Sequence, residues 1–351
     1  MGMCEAAAKL RSDVLIKVPR VLAVIPGDGR GSSFIFARRQ VASLQTMGLD
    51  VHVEFFDSRL SAIGVLRNCR RIRAAVRRRG PDIIHVHYGT MTAFATAFVT
   101  TQPLLITFQG SDLQPDPFIG KIRASAGYLL SQLAILRAVQ VICVSNRLRQ
   151  RLWWRKNRAE VLPVGVKLEQ FKPEPRLSAR EQLGWAADES VILFNAGMAP
   201  TTKGLDLAEA AIKEAIAVHG PIRFEIMRGN VPPERVPVLM NAADCLLVTS
   251  RSEGSPGVVK EALACNLPIV SVDVGDVAER LKGVLRSYIV ERDPKQIAKA
   301  LLKVLATKMR SNGREHVAEL SETRIAERIC SIYNSILSVK QDASPAVMPA
   351  E

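Results

Sequence analysis

Short runs of apolar, β-branched residues alternate with segments of helical period from one end of this chain to the other. In the first half the runs fall at 21–25, 51–55, 83–86, 104–108, 141–144 and 161–163, and each predicts a strand. Helix-period segments lie between several of them, at 34–47, 60–79 and 92–100. Strands that are apolar on both faces and separated by helices predict a parallel sheet covered on both sides. The pattern breaks at Lys172-Pro-Glu-Pro175, which can continue neither element. It restarts with strands predicted at 191–195, 222–227, 245–249, 269–272 and 288–290, and helices at 205–218, 234–242, 257–265, 277–282 and 294–306. A last helix is predicted over 313–339, and a Pro/Ala tail at 340–351 is expected to be disordered. The fold class is therefore α/β: two doubly wound domains, 1–171 and 172–339, with the last helix free to pack back on the first. Ligands of open sheets bind beyond the carboxyl ends of the strands, so the residues just after each strand carry the chemistry.

Charge changes this picture by separating the halves. Residues 1–170 carry 25 Lys and Arg against 11 Asp and Glu, the whole of the chain's +14, while residues 171–351 carry 23 of each. An excess confined to one half implies an anionic partner there, either nucleic acid, acidic phospholipid or a diphosphate substrate. The six cysteines show neither CxxC pairing nor a His at metal-ligand spacing, which suits a reducing compartment. The longest apolar run near the N-terminus, 14–16, is too short for a signal peptide. No segment approaches the roughly 20 apolar residues of a membrane span. The expected location is cytoplasmic, at most peripheral on the inner face of the plasma membrane.

After the strand at 245–249 the chain reads Ser250-Arg-Ser-Glu253-Gly-Ser-Pro256-Gly-Val-Val-Lys-Glu261. Glu253 falls in the loop, Gly254–Gly257 form a turn, and Glu261 lies one turn into the next helix. Free backbone N–H groups and the positive end of a helix dipole make such a turn a place for a diphosphate. A carboxylate before the turn can hold a sugar hydroxyl, and one a turn later can accept from a ribose diol. A surface helix with acids near its N-terminus would explain Glu261 alone, but not the Glu-Gly-Ser-Pro-Gly loop after a buried strand.

The segment 241–276 resembles the donor motif of the group 1 glycosyltransferases of family 4, whose Glu-x7-Glu pair binds a nucleotide sugar. The resemblance implies a GT-B fold, two Rossmann-like domains facing across a cleft, with Glu253 on the donor sugar and Glu261 on the ribose. It places Gly254, Ser255, Pro256, Gly257 and Val258 against sugar and diphosphate. Gly197-Met-Ala-Pro-Thr-Thr-Lys203-Gly204 is similar to the family's Gly-Arg-Leu-x-x-x-Lys-Gly, which gives Gly197 and Lys203 a donor-binding role. A Lys there can neutralise charge on the departing diphosphate. Met198 stands in the family's Arg slot, and Arg228, just after a strand, is the candidate substitute.

In the first half, Pro26-Gly-Asp-Gly-Arg-Gly-Ser-Ser33 brings Gly27, Gly29 and Gly31 before a helix, where a flexible loop or a phosphate contact are both open. Alternation puts His85 and His87 on one side of a strand, with His87 at its end expected to face the site and His85 in the core. A metal pair would lack a third ligand. Thr107-Phe-Gln109-Gly-Ser-Asp112 resembles the family's Thr-x-His-Gly-x-Asp, so Gln109 replaces a His and can bond a hydroxyl without exchanging protons. Asp112 is the remaining ionisable candidate. Leu162-Pro-Val-Gly165 through Pro173 is similar to the family's interdomain segment, with Lys167 in place of Asp.

Two basic runs complete the list, Arg67–Arg79 and Arg147–Arg158, the second around Trp153-Trp154. Basic residues beside Trp suit an anionic bilayer surface, whereas no nucleic-acid motif accompanies the charge. The expectation is a retaining transferase moving a sugar from a nucleotide sugar to a lipid-linked or polysaccharide acceptor, in cell-envelope or exopolysaccharide synthesis. Its expected catalytic residues are Glu253, Lys203 and Asp112, with Gly27, Gly29, Gly31, His87 and Gln109 toward the acceptor. No cofactor, no metal and no nucleic acid are expected. A donor-binding homologue without turnover and a nucleotide-sugar epimerase are the alternatives.

Overall fold

A computed structural model describes residues 18–31, 33–114 and 120–342. The chain forms two units: the first runs to Val144 and takes in Leu148–Leu162 and the chain from Thr323, and the second holds Ser145–Arg147 and Pro163–Glu322.

The first unit is built on one parallel sheet of β1 (Arg20–Pro26), β2 (Asp50–Phe56), β3 (Ile83–His87), β4 (Leu104–Phe108), β5 (Gln140–Cys143) and β6 (Glu160–Val161). Their order is β2-β1-β3-β4-β5-β6. Every residue of β3 and β4 is buried, as strands sandwiched between helical layers must be. Helices Ile35–Thr46, Ala62–Arg79, Thr90–Val99 and Lys121–Arg137 connect them. Ser61 caps the second by accepting from the Gly64 N–H, and Gly80 ends it with φ +54.

The second unit repeats the scheme with β7 (Val191–Gly197), β8 (Arg223–Arg228), β9 (Cys245–Val248), β10 (Ile269–Val272) and β11 (Tyr288–Val290), ordered β11-β10-β9-β7-β8. Its helices are Arg176–Leu183, Pro200–Lys203, Leu205–His219, Arg235–Ala242, Gly257–Ala264, Val277–Leu281 and Pro294–Thr307. All eleven strands begin and end within two residues of their sequence-predicted bounds.

Three expectations need correction. The single helix predicted over 313–339 is a 3-10 turn, Gly313–Leu320, followed by the helix Glu322–Asp342. It breaks because Ser321 is extended and pairs with Val166, exchanging backbone bonds on either side. Residues 340–342 belong to that helix rather than to the tail, and the rest of the tail, 343–351, lies outside the described residues. Within the break between 175 and 191, where no element is predicted, the chain forms a helix, Arg176–Leu183, whose Arg180 is 2% exposed. Arg180 donates to the Ala242 and Ala187 carbonyls and to Asp244, which also accepts from Arg176 and the Val191 N–H. A buried charge whose every nitrogen donates a hydrogen bond reads as surface in a hydrophobicity pattern. The helix Lys121–Arg137 also escaped the pattern, because apolar residues occur on every side of it.

From Thr323 the last helix belongs to the first unit, and Tyr333 anchors it. The Tyr333 hydroxyl lies 2.7 Å from His85 Nδ1, and His85 Nε2 lies 2.7 Å from Thr107 Oγ1. All three are buried, so the pair satisfies both ring nitrogens of a core histidine. Replacing Tyr333 with Phe leaves one of them without a partner and is expected to cost about 1–3 kcal/mol in chemical denaturation. Burial holds the pKa of His85 well below its ordinary 6.5 and that of His87 down to about 3. The unfolded chain therefore takes up protons below pH 6.5 that the fold refuses, and melting temperature should fall as pH drops from 7 to 5. His87→Phe should flatten that slope.

Candidate active site

In the second unit the strand order reverses between β7 and β9, so the loops leaving their carboxyl ends meet. The β7 loop runs through Met198 into the short helix Pro200–Lys203 and turns at Gly204. The β9 loop continues through Thr249 to Glu253. Thr249 Oγ1 donates to the carbonyls of Lys203 and Gly204 at 3.1 and 2.8 Å, and the Arg251 N–H donates to the Thr202 carbonyl. Gly204 has φ +73, and a Cβ there would overlap the Thr249 carbonyl oxygen. This close approach brings Lys203 Nζ to 2.5 Å from Glu253 Oε1, two side chains fifty positions apart.

Beyond Glu253 the turn Gly254–Pro256 leads into the helix Gly257–Ala264. Its cap residue is Pro256, which offers no side-chain acceptor, so no side-chain cap takes up the first-turn N–H groups, the feature of a helix start that suits an anion. Glu261 lies on that helix one turn in and is half-buried. Gly254, Pro256 and Val258 are buried, and Ser255 and Gly257 reach the surface. Ser255 Oγ donates to Asp276 Oδ2 at 2.8 Å, and Lys260 Nζ donates to Ser255 Oγ and the Ser255 carbonyl at 2.7 and 3.2 Å. Lys260 is fully buried, and burial pushes its pKa down to about 8 against the pull of Asp276. Sequence reasoning missed Lys260, Asp276 and Arg280, because a Lys within an apolar helix face carries no signal of being buried.

Gly197 closes β7 in register with Arg228 of β8 and bonds to the Asn195 side chain. Met198 is 78% exposed with its thioether against Gly229, where a Cβ would overlap it. The exposed Arg228 therefore stands across the sheet from the loop in which Met198 replaces an Arg.

In the first unit the reversal lies between β1 and β3. Gly27, Gly29 and Gly31 all have positive φ, and a Cβ at Gly29 would strike the Phe55 ring at 2.6 Å. Arg38 donates to the Gly29 and Gly31 carbonyls and fixes the loop. After β3, Tyr88 (φ +96) and Thr90 (φ +55) adopt conformations that non-glycine residues rarely hold. Tyr88 OH lies 2.8 Å from Ser111 Oγ, and the Arg59 guanidinium stands 5.5 Å from the Tyr88 ring. Asp112 is 1% exposed, and its carboxylate accepts from the N–H groups of Gly89, Gln109 and Gly110. That geometry makes Asp112 the brace joining the β3 and β4 loops, with its oxygens turned inward onto main chain. Gln109 stays half-exposed at the end of β4. His87, expected to face the site, is fully buried, and its ring stacks on His85 with centroids 4.1 Å apart.

The two basic runs differ. Arg67 and Arg71 pair with Asp57 and Glu54 on neighbouring elements. Residues 121–159 contain nine Lys and Arg and no acid. There Trp153 and Trp154 are exposed, and Tyr128 packs edge-on against Trp153. The loop is tied to helix Lys121–Arg137 through Gln132 and the Arg151 carbonyl. Ile122, Leu129 and Leu136, seven residues apart, are exposed along that helix. Among the described residues no helix is long and apolar enough to cross a membrane.

Residues 29–170 match the family model described as "Glycosyltransferase Family 4", and residues 189–307 the one described as "Glycosyl transferases group 1". The chain is 29% identical over 256 residues, 66% of its length, to TuaC of Bacillus subtilis (strain 168), a glycosyltransferase assigned to teichuronic acid biosynthesis. It spans 64% of that relative's length. Among solved structures, sucrose-phosphate synthase from Thermosynechococcus elongatus aligns with a TM-score of 0.74 at 19% identity, covering 91% of this chain and all of that one. Anabaena HepE, solved in complex with UDP-glucose, aligns with a TM-score of 0.63 at 16% identity, covering 92% of this chain and all of that one. These structures carry the GT-B fold, and so does this chain.

The contact between Gly204 and Thr249 gives a direct test of what assembles the site. Gly204→Ala is expected to lower stability by about 1–3 kcal/mol from the positive φ, with more from the overlap. Denaturant unfolding should show that loss, while the equivalent change at Gly257, which has open space around it, should stay within about 1 kcal/mol.

Proposed function

This chain belongs to the group 1 glycosyltransferases of family 4, and we propose that it transfers a sugar from a nucleotide-sugar donor with retention of configuration. The acceptor in this reading is lipid-linked or a polysaccharide. One observation carries it: the Lys203–Glu253 pair, closed at 2.5 Å beside a helix N-terminus that has no side-chain cap.

A diphosphate seated on the first-turn N–H groups of Gly257–Ala264 lies within reach of the Lys203 ammonium. The ammonium then offsets the negative charge that grows on the departing phosphate. Displaced from that ammonium, the Glu253 carboxylate accepts from a donor-sugar hydroxyl, and Glu261 accepts from the ribose. Arg228 supplies the second cation that Met198 does not. The departing phosphate takes the acceptor's proton, so neither Gln109 nor the buried Asp112 has to act as a base. Gln109 and the glycine loop at 27–31 serve the acceptor side, and Asp112 positions Gln109 by holding the β3 and β4 loops together. Residues 121–144 and 148–159 of the first unit include no acid, and with the exposed Trp pair and Ile122, Leu129 and Leu136 they favour an anionic bilayer and hence the lipid-linked class.

Calorimetry against a panel of nucleotide sugars, followed by nucleotide release with lipid and glycan acceptors, tests the reaction. At least one donor should bind, and product NMR should show the donor's anomeric configuration. Lys203→Ala should cut turnover by about 10²-fold or more. Binding without release would support a non-catalytic homologue, and conversion of the donor to its epimer would support an epimerase. Flotation with liposomes should recover the protein on anionic but not neutral vesicles, and replacing both Trp153 and Trp154 with Ala should abolish recovery. An unchanged double variant would reduce this face to solubilising charge.

A further inference from the structure

Beneath the turn that precedes helix Gly257–Ala264 lies a charged cluster that the reaction itself does not use. Lys260 is fully buried in the helix Gly257–Ala264, and its chain neighbours Val258 and Val259 are buried with it. Asp276, on the loop after β10, is 2% exposed and receives Ser255 Oγ at 2.8 Å and Arg280 Nε at 3.1 Å on the same oxygen. Its other oxygen, Oδ1, is buried with no hydrogen-bond partner among the described residues. Gly275, with φ +59, lets this loop close on the turn, since a Cβ would sit 2.9 Å from the Gly254 carbonyl oxygen.

Such a cluster is a poor way to gain stability, because an apolar side chain at 260 would avoid the cost of desolvating an ammonium. What the ammonium provides is direction. Its bond to the Ser255 carbonyl turns that oxygen inward. Released, the same carbonyl could turn outward and point its negative end at an incoming diphosphate. Resting on the reading that this unit binds a nucleotide sugar, we propose that Lys260, with Asp276 and Arg280, is a positioning element that holds the Ser255 peptide in its donor-receiving orientation. Donor binding then requires Lys260 to carry its charge.

The groups facing Lys260 set where that charge is lost. Burial, the largest influence, and Arg280 lower its pKa while Asp276, Glu261 and Glu253 oppose, and the balance falls at about 8. Affinity should therefore weaken about tenfold between pH 7 and pH 9. Folding stability runs the other way. The unfolded chain keeps this proton up to the ordinary 10.5 while the fold gives it up near 8, so this group's contribution to stability rises with pH. Loss of binding without loss of melting temperature separates the latch from general unfolding.

Calorimetry with UDP-glucose and GDP-mannose between pH 6.5 and 9, alongside thermal unfolding, tests the proposal. The wild type should lose affinity with a midpoint near pH 8. Lys260→Met should bind weakly at every pH, with no midpoint and no fall in melting temperature. Asp276→Asn should move the midpoint to lower pH, because it removes the charge that supports the ammonium. A wild-type affinity flat across the range, or Lys260→Met binding like wild type, overturns the latch. Should Lys260→Met not fold, a midpoint unmoved by Asp276→Asn overturns it instead. If neither probe binds the wild type at any pH, the donor reading fails first and takes the latch with it.

Discussion

Parallel strands all end on the same edge of a sheet, and the loops that leave them have no strand to pair with. Their backbone N–H groups must find acceptors elsewhere or go unsatisfied in a buried setting. Buried aspartates meet that need in both units. Asp112 accepts from three N–H groups and ties the β3 loop to the β4 loop. Asp244, at the opposite edge, accepts from the Val191 N–H as well as from Arg176 and Arg180. Asp276 takes the Ser255 hydroxyl. A charge-assisted bond is roughly twice as strong as a neutral one, which is why a carboxylate can order a loop that lacks a ladder.

The candidate site inherits its geometry from that requirement. Glu253 reaches Lys203 because Thr249 bonds both carbonyls of the facing turn, and Gly204 alone lets them come so close. The resulting ion pair is part-buried, with Lys203 side-chain exposure 25% and Glu253 14%. A pair of this kind contributes little to stability on its own. It does hold two opposite charges ready to part when a ligand brings its own.

The fold was legible because strands covered on both faces announce themselves as apolar runs, and all eleven lie within two residues of where the runs fall. The meeting of Lys203 with Glu253 was foreshadowed for a different reason: both lie in loops or turns after strands, and Gly and Pro mark those turns. What escaped is polar and buried. Arg180, Lys260 and Asp276 look like surface residues until their burial and partners are seen, and Arg180 and Asp276 find some of those partners far along the sequence. The break at Ser321 was equally invisible, since a pairing with Val166 across 155 residues overrides local helical preference. His87 illustrates the converse. Its place at a strand end suggested a residue facing the site, but alternation also stacks it on His85 inside the core.

The half-chain charge excess resolves in the same way. Counted along the sequence, the arginines of 62–79 and those of 121–159 are equivalent. In the fold, Arg67 and Arg71 are turned to Asp57 and Glu54, so part of that run is spent within the unit. In the second run Arg147 pairs with Asp273, but residues 148–159 contain no acid, and their Arg151, Arg155, Lys156 and Arg158 are exposed beside two exposed tryptophans. Neutralised charge screens and solubilises, whereas unneutralised charge beside apolar surface attracts a partner that is both anionic and greasy. The excess of fourteen therefore becomes informative only once each arginine's partner is known.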